Sequence, residues 1–129
     1  MITTGIDLVE IKRIKKSFEN PLFFQRVFGD TEKQFLNSLN GQRFYCSAAA
    51  RFAAKEAFSK ALRTGVSGFS LCEVEVVNDK SGAPELKLSG NAKKLAKGFS
   101  FSISLTHTES YASAIVIAVK ENDYEDSGK

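Results

Sequence analysis

The sequence predicts an α+β domain in which an antiparallel β-sheet packs against one long central helix. Three observations predict it. The stretch Arg43 to Gly65 runs without proline or internal glycine and is rich in Ala, Leu, Lys, Glu and Arg, the better helix formers. Helical patterns fill the first half of the chain, while two-residue alternation dominates the second. A single β-branched run opens the chain ahead of all the helices.

The elements follow in order. Met1 to Glu10 reads as a strand on Ile2, Ile6, Leu8 and Val9, with Gly5 marking a bulge or a close backbone approach. Asp7 sits among apolar neighbours, so its carboxylate either has a partner such as a metal or a cation, or faces solvent from an edge strand. Glu10 to Phe18 reads as a helix with Lys12, Arg13, Lys15 and Lys16 forming a positive surface beside Ile11, Ile14 and Phe18. Asn20-Pro21 is a turn, Leu22 to Phe28 a short helix closed by Gly29, and Glu32 to Leu39 another, capped by Asp30 or Thr31. The long helix stops at Gly65, with Lys60 and Arg63 meeting the negative end of its dipole. Cys72 to Val77 and Pro84 to Leu88 form a hairpin across the Asn78–Gly82 turn. Asn91 to Lys97 is a short helix with Ala92, Leu95 and Ala96 inward. Phe99 to Leu105 and Tyr111 to Val119 are the last strands, and the turn between them carries the only histidine, His107. Residues 1–120 form the domain, and residues 121–129 a polar tail that frays.

Composition bounds the function. With 129 residues, 43% hydrophobic and 26% charged, the chain holds one core and is not disordered. Eleven phenylalanines and no tryptophan predict a core built on phenylalanine. A net charge of +3 favours anionic partners but falls short of a nucleic-acid binder. No apolar run is long enough for a membrane span, and the start lacks the pattern of a signal peptide. Cys46 and Cys72 make neither a disulfide framework nor a metal spacing, which predicts a reducing, cytoplasmic setting.

The chemistry concentrates on the long helix. At about 100° per residue, Ala50, Ala53, Ala54, Ala57, Phe58 and Ala61 share one arc, suited to close approach by a sheet. Arg51, Lys55, Glu56, Ser59 and Lys60 share the other, with Phe52 among them. That face is either a solvated surface with Glu56 and Lys60 as an i,i+4 pair, or a site for a phosphorylated ligand and a hard cation.

Four stretches carry a resemblance: Gly5-Ile6-Asp7-Leu8-Val9-Glu10-Ile11, Arg51 through Leu62, the Gly82-Ala83-Pro84 turn, and Ser104-Leu105-Thr106-His107-Thr108 with Tyr111-Ala112. Together, and in this order, they resemble the small holo-acyl-carrier-protein synthases among the 4′-phosphopantetheinyl transferases. The resemblance implies transfer of the phosphopantetheine arm of coenzyme A to a serine of acyl carrier protein, in support of fatty acid biosynthesis. It also implies Mg²⁺ and a homotrimer with active sites between subunits. On this likeness Asp7 and Glu56 are the metal-binding carboxylates, and His107 joins them as a catalytic residue near the pyrophosphate. Arg51, Lys55, Ser59, Lys60, Gly65 and Thr108 line the coenzyme A site. Arg13, Lys16 and Arg26 face the acidic carrier protein. Glu56, or a water held on the metal, is the candidate general base.

Two positions depart from the family pattern. Leu62-Arg63-Thr64-Gly65 replaces the usual Leu-Gly-Thr-Gly, so the chain turns one residue later or accepts a bulkier residue, and Thr3 stands where glycine is common. Two rivals remain: a metal-dependent pyrophosphate hydrolase using the same residues, and a non-catalytic anion or nucleic-acid binding module using the basic helices, which leaves Asp7 and Glu56 without a role.

Overall fold

The computed structural model describes residues 1–64 and 67–121. Strand β1 (Ile2–Glu10) leads directly into helix α1 (Ile11–Ser17), followed by α2 (Pro21–Val27), α3 (Asp30–Leu36) and the long α4 (Gln42–Leu62). A single tight helical turn at Leu71–Glu73 precedes the hairpin β2 (Val74–Asn78) and β3 (Pro84–Leu88). Helix α5 (Gly90–Leu95) and strands β4 (Phe99–His107) and β5 (Tyr111–Lys120) complete the fold.

The sheet has the order β1-β5-β4 and is antiparallel throughout, so the first strand pairs with the last. The second hairpin forms its own two-stranded sheet. One antiparallel sheet against the helix is therefore what β1, β5 and β4 make, while β2 turns Val74 and Val76 toward α3 and α4. Glu121 N–H donates to the Gly98 carbonyl at 2.8 Å, and the remainder of the expected tail lies outside the described residues.

Helix α4 is the centre of the packing. Its alanines at 48, 49, 50, 53, 54, 57 and 61 are buried against β1 and β5. Small side chains let the strand come close. A Cβ on Gly5 would collide with the Ala57 carbonyl oxygen and lie 2.7 Å from the Ala61 nitrogen. The glycine thus marks a close approach rather than a bulge. Gly5→Ala is expected to push β1 off the helix and cost about 3 kcal/mol, read by urea unfolding.

Thr3 strengthens the same seam, because its hydroxyl donates to the Ala61 carbonyl at 2.8 Å near the end of α4. The helix then closes on Arg63 with φ 62° and ψ 24°, a left-handed residue. The chain therefore turns at the same place that a family glycine would serve, and accepts the side chain. Arg63→Gly is expected to stabilise the protein by about 1 kcal/mol, since only glycine adopts this conformation without strain.

Phenylalanines fill the space under the short helices. Phe18 contacts Phe23, Phe24, Phe28, Phe44 and Tyr45, with ring centres 5.0–5.9 Å apart. Leu95, expected inward, is the last residue of α5 and is 41% exposed.

Candidate active site

The sheet and α4 bring two acids together that are far apart in sequence. On β1 every second residue from Thr3 to Val9 faces the helix, and Asp7 is the one polar group among them with ionic chemistry. Its side chain is only 17% exposed, yet it has a partner: Lys60 Nζ lies 3.0 Å from Asp7 Oδ1 and donates to the Ile6 carbonyl at 2.9 Å. Ser113 Oγ donates to the Asp7 carbonyl at 2.8 Å, which pins this point of the strand to β5. Glu56, one turn before Lys60 on α4, lies within the field of both. Partial burial pushes the Glu56 carboxyl up, the Asp7 charge raises it further, and Lys60 and Arg13 pull it back.

Asp7 and Glu56 thus form a carboxylate pair with cations around it. Among the described residues no three metal-ligating side chains cluster, and Asp7 and Glu56 stand here as a pair. That donor set fits Mg²⁺, which takes one or two carboxylates and fills its remaining positions with water and phosphate oxygens.

The other predicted residues divide. Lys55 is sealed in the interior with no exposed surface. Its Nζ lies 2.6 Å from Glu32 Oε1, and it donates to the Val74 carbonyl at 2.6 Å and the Leu71 carbonyl at 3.1 Å. Glu32 in turn accepts from the backbone N–H groups of Gly29 at 3.1 Å and Val76 at 2.9 Å. Glu75 takes the place of a helix cap by accepting from the Glu32 backbone N–H at 2.8 Å. Burial pushes the Glu32 carboxyl up and the Lys55 ammonium down, and each offsets part of that for the other. Lys55, expected to line a coenzyme site, instead ties α4 to α3 and β2. Its ammonium is fully occupied where the sequence pattern suggested a solvated face.

Ser59 is likewise buried, and its hydroxyl donates to the Glu56 carbonyl at 2.7 Å within the helix. Arg51 is buried too, donating to Ser47 Oγ at 2.6 Å and Asn78 Oδ1 at 3.0 Å, with its guanidinium 4.6 Å from the centre of the Phe35 ring. Its Nε has no hydrogen-bond partner among the described residues. Thr108 organises the turn between β4 and β5, where its hydroxyl oxygen accepts from the Tyr111 N–H at 3.1 Å and the Ser110 N–H at 3.3 Å. Gly65 lies outside the described residues. Arg13, Lys16 and Arg26 are exposed on α1 and α2.

His107 ends β4, the edge of the sheet opposite β1. It lines a cavity of about 510 Å³ with Arg43, Ser47, Arg51 and Thr106, and neither acid reaches this cavity. Within one chain the histidine and the carboxylate pair are therefore separate. Arg43 is a cavity residue that the sequence reading passed over. A hint was present, since a cation in the first turn of a helix opposes the dipole and calls for an anion nearby.

Comparison with known proteins follows the same outline. Residues 3–116 match the model of the 4′-phosphopantetheinyl transferase superfamily. The holo-[acyl-carrier-protein] synthase of Thermoanaerobacter sp. (strain X514) is 41% identical over 128 residues, covering 95% of this chain and 91% of that protein. A holo-(acyl-carrier-protein) synthase of Bacillus anthracis str. Ames, solved in complex with CoA (3′,5′-ADP), superposes with a TM-score of 0.79 at 34% identity. That match covers 90% of this chain and 94% of the other. The holo-[acyl-carrier-protein] synthase of Neisseria meningitidis gives 0.84 at 31% identity over 93% of this chain and 100% of that one.

Proposed function

The chain belongs to the 4′-phosphopantetheinyl transferase superfamily, and from that premise we propose that it is a holo-acyl-carrier-protein synthase working through the Asp7, Glu56 and Lys60 constellation. The reaction moves the 4′-phosphopantetheine group of coenzyme A to a serine hydroxyl of apo-acyl carrier protein. The serine oxygen bonds to the phosphorus nearer the pantetheine, the bond from that phosphorus to the bridging oxygen breaks, and adenosine 3′,5′-bisphosphate leaves. The observation that carries this reading is the meeting of Asp7 and Glu56 across β1 and α4, with Lys60 between strand and helix.

Phosphoryl transfer asks for positioning and charge neutralisation more than for covalent help. Asp7 and Glu56 would hold Mg²⁺, which would supply charge neutralisation of the pyrophosphate. Lys60, with its side chain 54% exposed, reaches toward the same phosphates while its contact with the Ile6 carbonyl keeps it aimed along β1. The Glu56 carboxyl, raised by burial and by the Asp7 charge, takes the serine proton. His107 and Arg43 bind the anionic end of coenzyme A from the cavity at the other edge of the sheet.

That division favours an active site shared between copies. The outer face of β1 and β5 leaves Ile2 69%, Ile6 62%, Leu8 64%, Tyr111 46% and Val119 41% exposed, an apolar patch too continuous for a free surface. A homotrimer buries it and brings the histidine cavity of one subunit to the acids of the next. Sedimentation at assay concentration is expected to give a trimer, and an active monomer would rule this assembly out. The described residues contain no helix long and apolar enough to cross a membrane, and the working compartment is the cytoplasm, beside the carrier protein.

Mass spectrometry tests the reaction. Apo carrier protein incubated with coenzyme A, Mg²⁺ and this protein is expected to gain one phosphopantetheine group. Hydrolysis of coenzyme A with no mass gain would favour the pyrophosphate hydrolase reading. The basic surface of α1 supplies a separate expectation. Arg13→Glu is expected to raise the KM for carrier protein about tenfold while leaving the KM for coenzyme A in place, with the difference shrinking as salt rises. Equal loss for both substrates would remove Arg13 from the docking face.

A further inference from the structure

A groove between β3, α5 and β4 takes no part in any of this chemistry. It encloses about 710 Å³ over a floor of Leu88, Ala96, Phe99 and Phe101. The two phenylalanine rings stack with centres 6.0 Å apart and remain only partly covered. Lys93, Lys94 and Lys97 form the rim, and Lys120 Nζ stands 5.4 Å from the centre of the Phe99 ring. None of these four ammonium groups has an ion-pair partner among the described residues. Phe99 and Phe101 alternate with exposed serines along β4, so the groove opens on the helix-covered side of the sheet, away from the outward isoleucines. His107 lies at the far end of the same strand, about 26 Å away at 3.3 Å per residue.

We propose that this groove binds a single-chain anionic amphiphile of the long-chain fatty carboxylate class. The hydrocarbon chain lies along Phe99, Phe101 and Leu88, and the carboxylate meets Lys93 and Lys97. Exposed lysines alone are an ordinary solvated helix face, and an apolar hollow alone would suit a neutral ligand. A concave apolar floor under a positive rim that has no ion-pair partner among the described residues selects a molecule that carries both features. Concavity also decides between lipid sources, because a flat bilayer would meet the rim lysines without reaching the phenylalanines. An acidic peptide would satisfy the lysines but bury its backbone polar groups against that floor.

Calorimetric titration of the full chain with dodecanoate, kept below its aggregation concentration, is expected to show one saturable site. Decanoate should bind more weakly by about three- to fourfold for each buried methylene lost. Dodecanol should bind about tenfold more weakly than dodecanoate, and Lys93→Glu/Lys97→Glu should weaken dodecanoate by about the same factor. Thermal melting checks that the double variant is folded; if it is not, Lys97→Gln replaces it, with a loss of about threefold expected. Equal affinity in the folded charge variant, no saturable binding, or binding only to anionic vesicles or to an acidic peptide would each overturn the proposal. Lys93 and Lys97 lie outside the transfer site, so this result and the outcome of the transfer assay are independent.

Discussion

Lys55→Met is expected to remove about 3–5 kcal/mol of folding free energy, enough to leave much of the protein unfolded in mild denaturant. The cause is the charge left behind. Glu32 is completely buried and, among the described residues, relies on Lys55 as its only cationic partner at hydrogen-bond distance. Without it, the carboxylate keeps two backbone N–H donors but loses its counter-charge. It must then either take up a proton or leave the interior, and both weaken the seam between α3, β2 and α4. A second substitution separates this account from a generic packing defect. Lys55→Met/Glu32→Leu removes both charges together and is expected to recover at least half of the loss, because a buried ion pair is worth little more than apolar groups of similar volume. A folded Lys55→Met protein whose only defect is a higher KM for coenzyme A would restore this lysine to the ligand site.

Lys55 also marks where the sequence could be read and where it could not. The alanine arc of α4, the glycine at position 5 and the first and last strands follow from local pattern, and the three-stranded sheet uses them as that pattern suggests. Local pattern also assigned Arg51, Lys55 and Ser59 to an exposed helix face, since charged and hydroxyl residues opposite an alanine stripe look solvated. Two sets of contacts remote in sequence reverse this. The Leu71–Glu73 turn and β2 return over that face, and Glu32 arrives from α3, more than twenty residues earlier, to neutralise the lysine. No spacing within the helix encodes either event. Glu32 itself looks like an ordinary first-turn acid at a helix start, where its negative charge is expected in any case. The predicted β2–β3 hairpin forms its own sheet, which escaped for the same reason, because alternation predicts strands but not which sheet they join.

The site shows the same division. Asp7 was legible as a charge in apolar company, and its partner Lys60 as a member of the polar arc. Their meeting depends on the absence of a side chain at Gly5, which sets the height at which β1 crosses α4. His107 was legible as the only histidine in a strand-end turn. Its distance from the acids was not, because strand order places β5 between β1 and β4.

Glu56→Gln is expected to lower the rate of phosphopantetheine transfer by about a thousandfold or more while leaving the fold intact. The amide keeps the shape of the side chain but gives up the charge that, in the proposed mechanism, would help hold a divalent ion, and the oxygen that would take the serine proton. Stability separates this from damage to the fold. The folded Glu56 carboxyl sits above its unfolded value of 4.5 through burial and the nearby Asp7 charge. A raised carboxyl favours the native state below the unfolded pKa and loses that contribution as pH rises through the folded one. Without divalent cation the Gln variant should therefore match the parent at about pH 4, in the range where unfolded carboxylates titrate, and melt at the same or a higher temperature near neutrality. Adding Mg²⁺ should reverse the order. At about a hundred times its dissociation constant the ion stabilises the parent by about 2.7 kcal/mol, and it should leave the Gln variant nearly where it was. A variant that melts lower than the parent in the absence of metal would mean that Glu56 supports the fold. A variant that gains as much from Mg²⁺ as the parent would take Glu56 out of the cation site, and the shared ion between strand and helix would have to be held by Asp7 alone.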